Sequence, residues 1–210
     1  IPGVIGFLAV AHREGLKDPR IPRLVGHAVQ FLLTQKRDWN EGSVFPSHVP
    51  PDGDPRPTRT AWCYGDLGVA AVLLSAAQSF ARDDWRDEAL AIARAAARRS
   101  VAETRVIDVG LCHGAVGIAH IFNRIHHATR DAEMRDAAVA WYGRALDMRR
   151  PGEGLAGLLS WVDTGPKEGV WKGEPGFLSG IAGVGLGLLA AVTDFEPRWD
   201  RVLLLSMETA

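Results

Sequence analysis

Apolar runs that share a glycine signature recur along the chain. Three full copies read YGDLGVAAVLL from Tyr64, HGAVGIAHIF from His113 and SGIAGVGLGLL from Ser179, and a related run, IPGVIGFLAV, starts at Ile1. Each full copy contains Gly-x-x-Gly and then stays apolar for two or more helical turns, which is typical of a nearly buried helix. The pattern therefore predicts an inner layer of four apolar helices.

Amphipathic stretches separate these copies. Residues 21–36, 85–100 and 131–149 place Arg, Asp and Glu on one side and Leu, Ala or Val on the other. We find no convincing alternation at period two, so strands should be few. Inner and outer helices that alternate at this repeat length predict an all-α fold, a double-layered helical barrel or solenoid.

Two long connections interrupt the helical rhythm. Residues 37–61 are rich in proline, and residues 150–176 are rich in glycine. Irregular connections of this length inside a compact domain are usually functional or disordered. Since each one leads directly into an inner helix, we expect the two loops to form walls around a site.

Composition and charge narrow the functional classes. A 210-residue chain with a net charge of -1 fits one globular domain and gives no reason to expect nucleic acid or an acidic membrane as the main partner. The longest apolar stretch, residues 177–192, is shorter than the ~20 residues that span a bilayer. Two cysteines are too few for a disulfide scaffold, which favours a reducing, cytoplasmic setting.

Both cysteines lie directly before a repeated glycine segment. Cys63 precedes Tyr64-Gly65, and Cys112 precedes His113-Gly114. Matching ends of parallel inner helices share one rim of a barrel, so Cys63, Cys112 and His113 should meet there. Two sulfurs and an imidazole suit zinc in a tetrahedral site with an open fourth position. The alternatives remain that the cysteines are apolar packing residues, or that a fourth protein ligand makes the site structural.

Two neighbours of Cys63 are candidate catalytic residues. Arg59 lies four residues before Cys63 and could hold a carbonyl or a developing anion. Tyr64 follows Cys63 and could donate a hydrogen bond or a proton. A loop arginine is equally often solvated, however, and a tyrosine is often a packing residue.

The first apolar copy is incomplete. Its alignment places Gly3 where Gly68 and Gly117 stand, so the equivalents of Tyr64 and Gly65 would precede Ile1. We therefore expect residues 1–210 to be the C-terminal part of a single, longer domain.

These motifs resemble those of the lanthionine synthetase C-like family, which includes the lanthipeptide cyclases. The resemblance rests on RTAWCYG, on LCHG followed by GIAHIF, and on GFLSGIAGVGLGLLAAVTDFEPRWDRVLLLS, and it extends over most of the chain. It implies an α/α toroid of seven inner and seven outer helices, of which this chain holds about the C-terminal half. The family's zinc ligands match Cys63, Cys112 and His113, and its active-site arginine and tyrosine match Arg59 and Tyr64.

The resemblance also implies a reaction, the closure of thioether rings. In the family, a cysteine thiol of a dehydrated precursor peptide takes the open zinc position, loses its proton and adds to dehydroalanine or dehydrobutyrine; an acid then protonates the resulting enolate. A dehydratase and a transporter are further partners that it suggests. The family's catalytic histidine and aspartate belong to segments that would precede Ile1.

Three other functions remain open. A related protein could act on a different thiol such as glutathione, or serve as a peptide-binding module. From another class, a zinc-stabilised helical scaffold would need no catalysis. A fourth protein ligand would favour the scaffold, whereas an open metal position beside Arg59 and Tyr64 would favour an enzyme.

Overall fold

A computed structural model describes residues 1–39, 42–165 and 169–209. Parts of both long loops, residues 40–41 and 166–168, lie outside the described residues. Eight α-helices are present in the described part of the chain: α1 Pro2–Arg13, α2 Arg20–Thr34, α3 Asp66–Phe80, α4 Asp83–Arg98, α5 Val101–Thr104, α6 Ala115–Thr129, α7 Ala132–Asp147 and α8 Ile181–Val192. Two short strands, β1 Ser160–Val162 and β2 Val170–Lys172, and a 3₁₀ helix, Arg198–Leu203, complete it.

The helices form two layers, as the sequence pattern predicted. Helices α1, α3, α6 and α8 lie side by side in chain order, and α2, α4 and α7 pack outside α1, α3 and α6. The inner helix α3 is buried from Asp66 to Ala77, whereas the outer helix α4 buries mainly one face, which includes Trp85, Ala89 and Ile92. The difference follows from the sequence, because α3 is apolar on all sides and α4 is amphipathic.

The second glycine of each repeat allows a close approach of backbone to helix. A side-chain Cβ at Gly68, Gly117 or Gly183 would collide with the carbonyl oxygen of the residue six positions earlier. These carbonyls belong to Trp62, Leu111 and Phe177. In all three copies, the loop before the inner helix therefore packs against that helix in van der Waals contact at this glycine.

Backbone hydrogen bonds join these loops to one another. The Trp62 amide donates to the Cys112 carbonyl at 2.9 Å, and the Cys112 amide donates to the Leu178 carbonyl, also at 2.9 Å. Cys112 and Leu178 occupy equivalent positions in their repeats, and Trp62 lies one residue before the third equivalent, Cys63. The starts of α3, α6 and α8 are thus tied together along one rim.

The segment after α8 returns along the inner helices. Trp62 donates its indole N–H to the Leu203 carbonyl at 2.8 Å, and Arg13 of α1 donates to the Ser206 carbonyl at 3.0 Å. Arg124 of α6, almost fully buried, contacts the Asp200 carboxylate at 3.1 Å and also donates to the Leu205 and Met207 carbonyls. These contacts hold residues 198–208 against three inner helices.

The second long loop is more regular than its glycine content predicted. Strands β1 and β2 form an antiparallel hairpin in which Trp161 pairs with Trp171, their rings 5.3 Å apart in an edge-to-face arrangement. Aromatic pairs across antiparallel strands stabilise short hairpins. The expectation that strands are few is confirmed, since β1 and β2 are the only strands of the described residues apart from isolated bridges.

No helix in the described ranges combines the length and apolar composition that a membrane span requires.

The glycine contacts predict opposite effects for two similar substitutions. Gly117→Ala places a methyl group against the fixed Leu111 carbonyl and should cost about 1–3 kcal/mol in the free energy of unfolding. Gly143→Ala, in the middle of α7 with open space around the added methyl group, should instead stabilise by about 0.5–1 kcal/mol. Urea unfolding of both variants measures the two effects. Equal stabilisation by both substitutions would contradict the close approach at Gly117.

Candidate metal centre

Cys63, Cys112 and His113 lie together, as the repeat alignment predicted. One potential ligand atom from each side chain lies within 4.8 Å of the other two. Cys63 is exposed, and Cys112 and His113 are half-buried. The rim hydrogen bond between Trp62 and Cys112 explains the meeting, because it places the loops before α3 and α6 side by side although the two cysteines are 49 positions apart.

The two thiols share one proton. The Cys112 side chain hydrogen-bonds Cys63 and lowers the pKa of Cys63 to about 5, and the hydrogen bond from His113 acts in the same direction. The same contact with Cys63, strengthened by burial, raises the pKa of Cys112 far above that of a free thiol. Two adjacent thiolates repel each other, so a second deprotonation needs a cation close by.

The donor set fits a divalent metal ion. In a tetrahedral zinc site with Cys and His ligands, the ligand atoms are about 3.5–3.8 Å apart. Separations of up to 4.8 Å are therefore within reach of small side-chain rotations. Among the residues that the structure describes, no fourth Cys, His, Asp or Glu joins this group. The three side chains could hold a metal ion and leave one coordination position open.

Arg59 and Tyr64 contact each other beside this cluster. The Arg59 Nε donates to the Tyr64 hydroxyl oxygen at 2.5 Å, and the guanidinium carbon lies 5.6 Å from the centre of the Tyr64 ring. Both side chains are half-buried. Because Tyr64 accepts this bond, its own O–H remains available to donate to another group.

A buried ion pair that the sequence analysis missed anchors the segment around Arg59. Arg99 donates to the carbonyl of Thr58 at 2.8 Å and to the hydroxyl of Thr60 at 3.2 Å, and its guanidinium lies 3.8 Å from Asp66. The Asp66 carboxylate accepts the amides of Val44 and Phe45 at 2.7–3.0 Å. Burial raises the pKa of Asp66, and these amides and Arg99 oppose that rise.

The amphipathic pattern of residues 85–100 predicts that its arginines lie on the polar outer side, and for Arg99 that expectation is wrong. The Arg99 side chain is 1% exposed, whereas the neighbouring Arg98 is 70% exposed. Arg99 follows the last residue of α4, so it leaves the outer face of that helix and reaches the loop before α3. Sequence periodicity gives no signal for a side chain that lies beyond a helix end.

Cavities lie on both sides of the cluster. One, of about 630 Å³, is lined by Cys63, Tyr64 and apolar side chains that include Phe45 and Val49 of the first long loop. The other, of about 570 Å³, is more polar and is lined by Arg59, His113, Trp161, Asp163 and Glu174. Residues of both long loops therefore line space next to the cluster.

Comparison with known protein families gives a match over nearly the whole chain. The sequence model of the "Lanthionine synthetase C-like protein" family matches residues 1–204. This chain belongs to that family. Since the match extends over nearly the whole chain, the resemblance of its motifs to the family is confirmed.

Two named proteins are similar to this chain. A glutathione S-transferase, LANCL1 of Danio rerio, is 33% identical in an alignment of 156 residues, which covers 68% of this chain and 36% of the relative. The solved structure of nisin cyclase superposes with a TM-score of 0.74 over 97% of this chain and 48% of its own, at 19% identity. The predicted all-α toroid fold class is confirmed. The chain spans about half the length of nisin cyclase and about a third of LANCL1.

The shared proton predicts unequal thiols in the chelator-treated chain. Under single-hit alkylation with residue-resolved mass spectrometry, Cys63 should react with a midpoint near pH 5 and Cys112 should stay protected well above pH 9. In Cys112→Ala the hydrogen bond to Cys63 is gone, so the midpoint of Cys63 should rise. Identical pH profiles for the two thiols in the unsubstituted chain would contradict the shared proton.

Proposed function

We propose that this chain carries the thiol-activating centre of a zinc-dependent lanthipeptide cyclase. Such an enzyme forms lanthionine and methyllanthionine rings by adding cysteine thiols to dehydroalanine or dehydrobutyrine. One observation carries the proposal: in a member of the lanthionine synthetase C-like family, two cysteines and a histidine meet beside a contacting arginine and tyrosine.

The three side chains of the cluster would hold the metal. A zinc ion held by Cys63, Cys112 and His113 would lower the pKa of a bound substrate thiol and keep that thiol nucleophilic near neutral pH. The cation also removes the repulsion that otherwise keeps one cysteine protonated. Cys63 lines one cavity and His113 lines the other, so either cavity offers a peptide a route to the cluster.

Arg59 and Tyr64 would act on the other reactant. Addition of a thiolate to the β-carbon of a dehydro residue moves negative charge onto the neighbouring carbonyl oxygen. The Arg59 guanidinium can stabilise that enolate. Tyr64, whose oxygen already accepts from Arg59, can donate its O–H to the same oxygen or deliver a proton to the α-carbon. Arg59 and Tyr64 would thus stabilise the enolate and provide its proton, while the cluster would activate the substrate thiol.

The proposed substrate is a dehydrated precursor peptide in the cytoplasm. In this assignment, residues 1–210 form the C-terminal part of a single cyclase domain, and a dehydratase and a transporter are its partners in a biosynthetic complex. The apolar cavity, lined by Phe45, Val49 and Val72, offers space for the apolar part of such a peptide.

The LANCL1 relative supports a second candidate function. That protein is named as a glutathione S-transferase, and it is 33% identical over the region that it shares with this chain. The same thiol-activating centre would then serve free glutathione instead of a cysteine within the acceptor peptide. The chemistry of addition is shared, so the source of the thiol separates the two functions.

The metal assignment predicts one zinc per chain. Cys63→Ala and Cys112→Ala should each lose the metal, because two ligands hold zinc much more weakly than three. His113→Ala should do the same, and His48→Ala, an exposed histidine of the adjacent cavity wall, should keep it. Elemental analysis of purified protein, with circular dichroism to verify folding, measures this. Full zinc retention in both cysteine variants would exclude the centre.

The roles of Arg59 and Tyr64 predict slower ring closure with unchanged metal content. In the complete enzyme, Arg59→Ala and Tyr64→Phe should retain zinc but slow cyclisation by about 10²–10³-fold, the typical effect of removing one donor from a developing oxyanion. The assay alkylates the free thiols of a dehydrated precursor and counts them by mass. Arg56→Ala, an exposed arginine of the same loop, is the matched control and should keep the unsubstituted rate.

Two further arms of that assay separate the candidate functions. Unsubstituted rates in both the Arg59 and Tyr64 variants would leave them as packing residues. With a dehydrated peptide that lacks cysteine, added glutathione should react slowly if the protein is a cyclase. Faster addition of glutathione than ring closure would favour the glutathione-transferring function instead.

A further inference from the structure

Asp108 is a buried carboxylate directly behind the metal cluster. Its side chain is 1% exposed, and its Oδ2 lies 4.0 Å from the Nε2 of His113. Oδ2 also accepts the amide of Trp161 in β1 at 3.2 Å, and Oδ1 accepts the amide of Gly110 at 3.3 Å. The amides of Trp161 and Gly110 therefore hold the Asp108 carboxylate in place beside the His113 imidazole.

The start of α6 is shaped to admit this carboxylate. The Asp108 carbonyl accepts the amide of Ala115, the first residue of that helix, at 2.9 Å. A Cβ at Gly114 would collide with the Asp108 Oδ1, so only glycine leaves room there. Backbone and side chain of Asp108 are thus both engaged at the helix end that presents His113.

The repeat gives Asp108 and Arg59 the same position. Arg59 lies four residues before Cys63, and Asp108 lies four residues before Cys112. In the first copy, the residue at this position contacts the residue after the cysteine, because Arg59 donates to Tyr64. In the second copy, the equivalent pair is Asp108 and His113. Two independent copies therefore bring the same two positions together with different chemistry.

We propose that Asp108 is the positioning residue of His113, which holds the Nε2 proton toward its carboxylate and leaves Nδ1 as the metal ligand. The proposal rests on the metal role assigned to His113 above. A neutral imidazole carries its proton on one of its two nitrogens. At 4.0 Å, longer than a hydrogen bond, the Asp108 carboxylate favours the proton on Nε2 by electrostatic attraction. Such carboxylate partners orient metal-bound histidines and raise their basicity, and their loss typically weakens metal binding about 10–100-fold.

The bond to Trp161 links this pair to the hairpin of the second loop. Trp161 lines the polar cavity together with His113, and its amide shares the oxygen that faces the imidazole. The Asp108 carboxylate thus supports both Trp161 in the cavity wall and the orientation of His113 as a metal ligand. Among the ion-pair contacts of the described residues, the His113 imidazole is the one basic side chain within 4.0 Å of the Asp108 carboxylate.

The tautomer is measurable on the unsubstituted, zinc-loaded chain. Long-range ¹H–¹⁵N correlation spectra of histidine-labelled protein identify which ring nitrogen carries a proton and which binds the metal. The expected result is a protonated Nε2 and a metal-bound Nδ1 for His113. A metal-bound Nε2 would overturn the proposal, and this measurement requires no variant.

A double-mutant cycle tests the coupling. Asp108→Asn keeps the shape of the side chain but removes its charge, and it should weaken zinc binding about 10–100-fold in competition with a chromophoric chelator. His113→Ala does not retain zinc through purification, so its weaker binding is measured by titration with a low-affinity chromophoric indicator; in that background the same substitution should change zinc affinity less than about twofold. Asp163→Asn, an exposed carboxylate of the same cavity, is the control and should have no effect in either background.

The outcomes separate this proposal from the metal assignment. Equal weakening by Asp108→Asn in both backgrounds would show that Asp108 only supports the fold, and the proposal would fail while the zinc centre stands. Unchanged affinity in the presence of His113 would also reject it. If the unsubstituted chain binds neither zinc nor cobalt, the metal assignment itself fails, and the role of Asp108 fails with it.

Discussion

The amide of Cys112 donates to the Leu178 carbonyl, and its carbonyl accepts from Trp62. These two bonds contribute only about 0.5–1.5 kcal/mol each to stability, yet the arrangement of the site depends on them. They tie together loops that the sequence separates by tens of residues, and the repeated glycines let each loop sit directly on its helix. Cys63 can meet Cys112 and His113 only because the loops are in this register. The inner helices contribute the buried surface, and the hydrogen bonds along the rim position Cys63, Cys112 and His113.

Much of this architecture follows from the sequence alone. The inner helices start where the glycine pattern predicts. A helix that is apolar on all sides is stable only in the interior of the fold. The three outer helices begin and end within two residues of the predicted ranges. The meeting of Cys63, Cys112 and His113 was also predictable, because equivalent positions of a repeat share an edge of the barrel. Periodicity and repetition are local properties of a sequence, and these features depend on nothing else.

The supporting contacts were not predictable in the same way. Arg99, Asp66 and Asp108 are charged residues, which usually lie on surfaces, and their burial depends on partners from other loops. The hairpin of β1 and β2 depends on a pairing of two tryptophans within a glycine-rich stretch. One signal was present: Asp108 and Arg59 share a repeat position, so the contact between Arg59 and Tyr64 has a counterpart in the next copy. Repeat alignment extended beyond the glycines and cysteines would have identified it.

The segment of residues 198–208 has a consequence for how the chain reaches this fold. Its contacts join Arg13 to Ser206 across 193 positions, Gln78 to Glu208 across 130 and Arg124 to Leu205 across 81. Folding slows as the mean sequence separation of native contacts rises, since chain entropy is lost before such contacts form. During synthesis, α1 and α3 emerge long before the residues that cover their inner sides. Until then their apolar surfaces are open to non-native partners, so the nascent chain has an extended interval in which a chaperone would be useful.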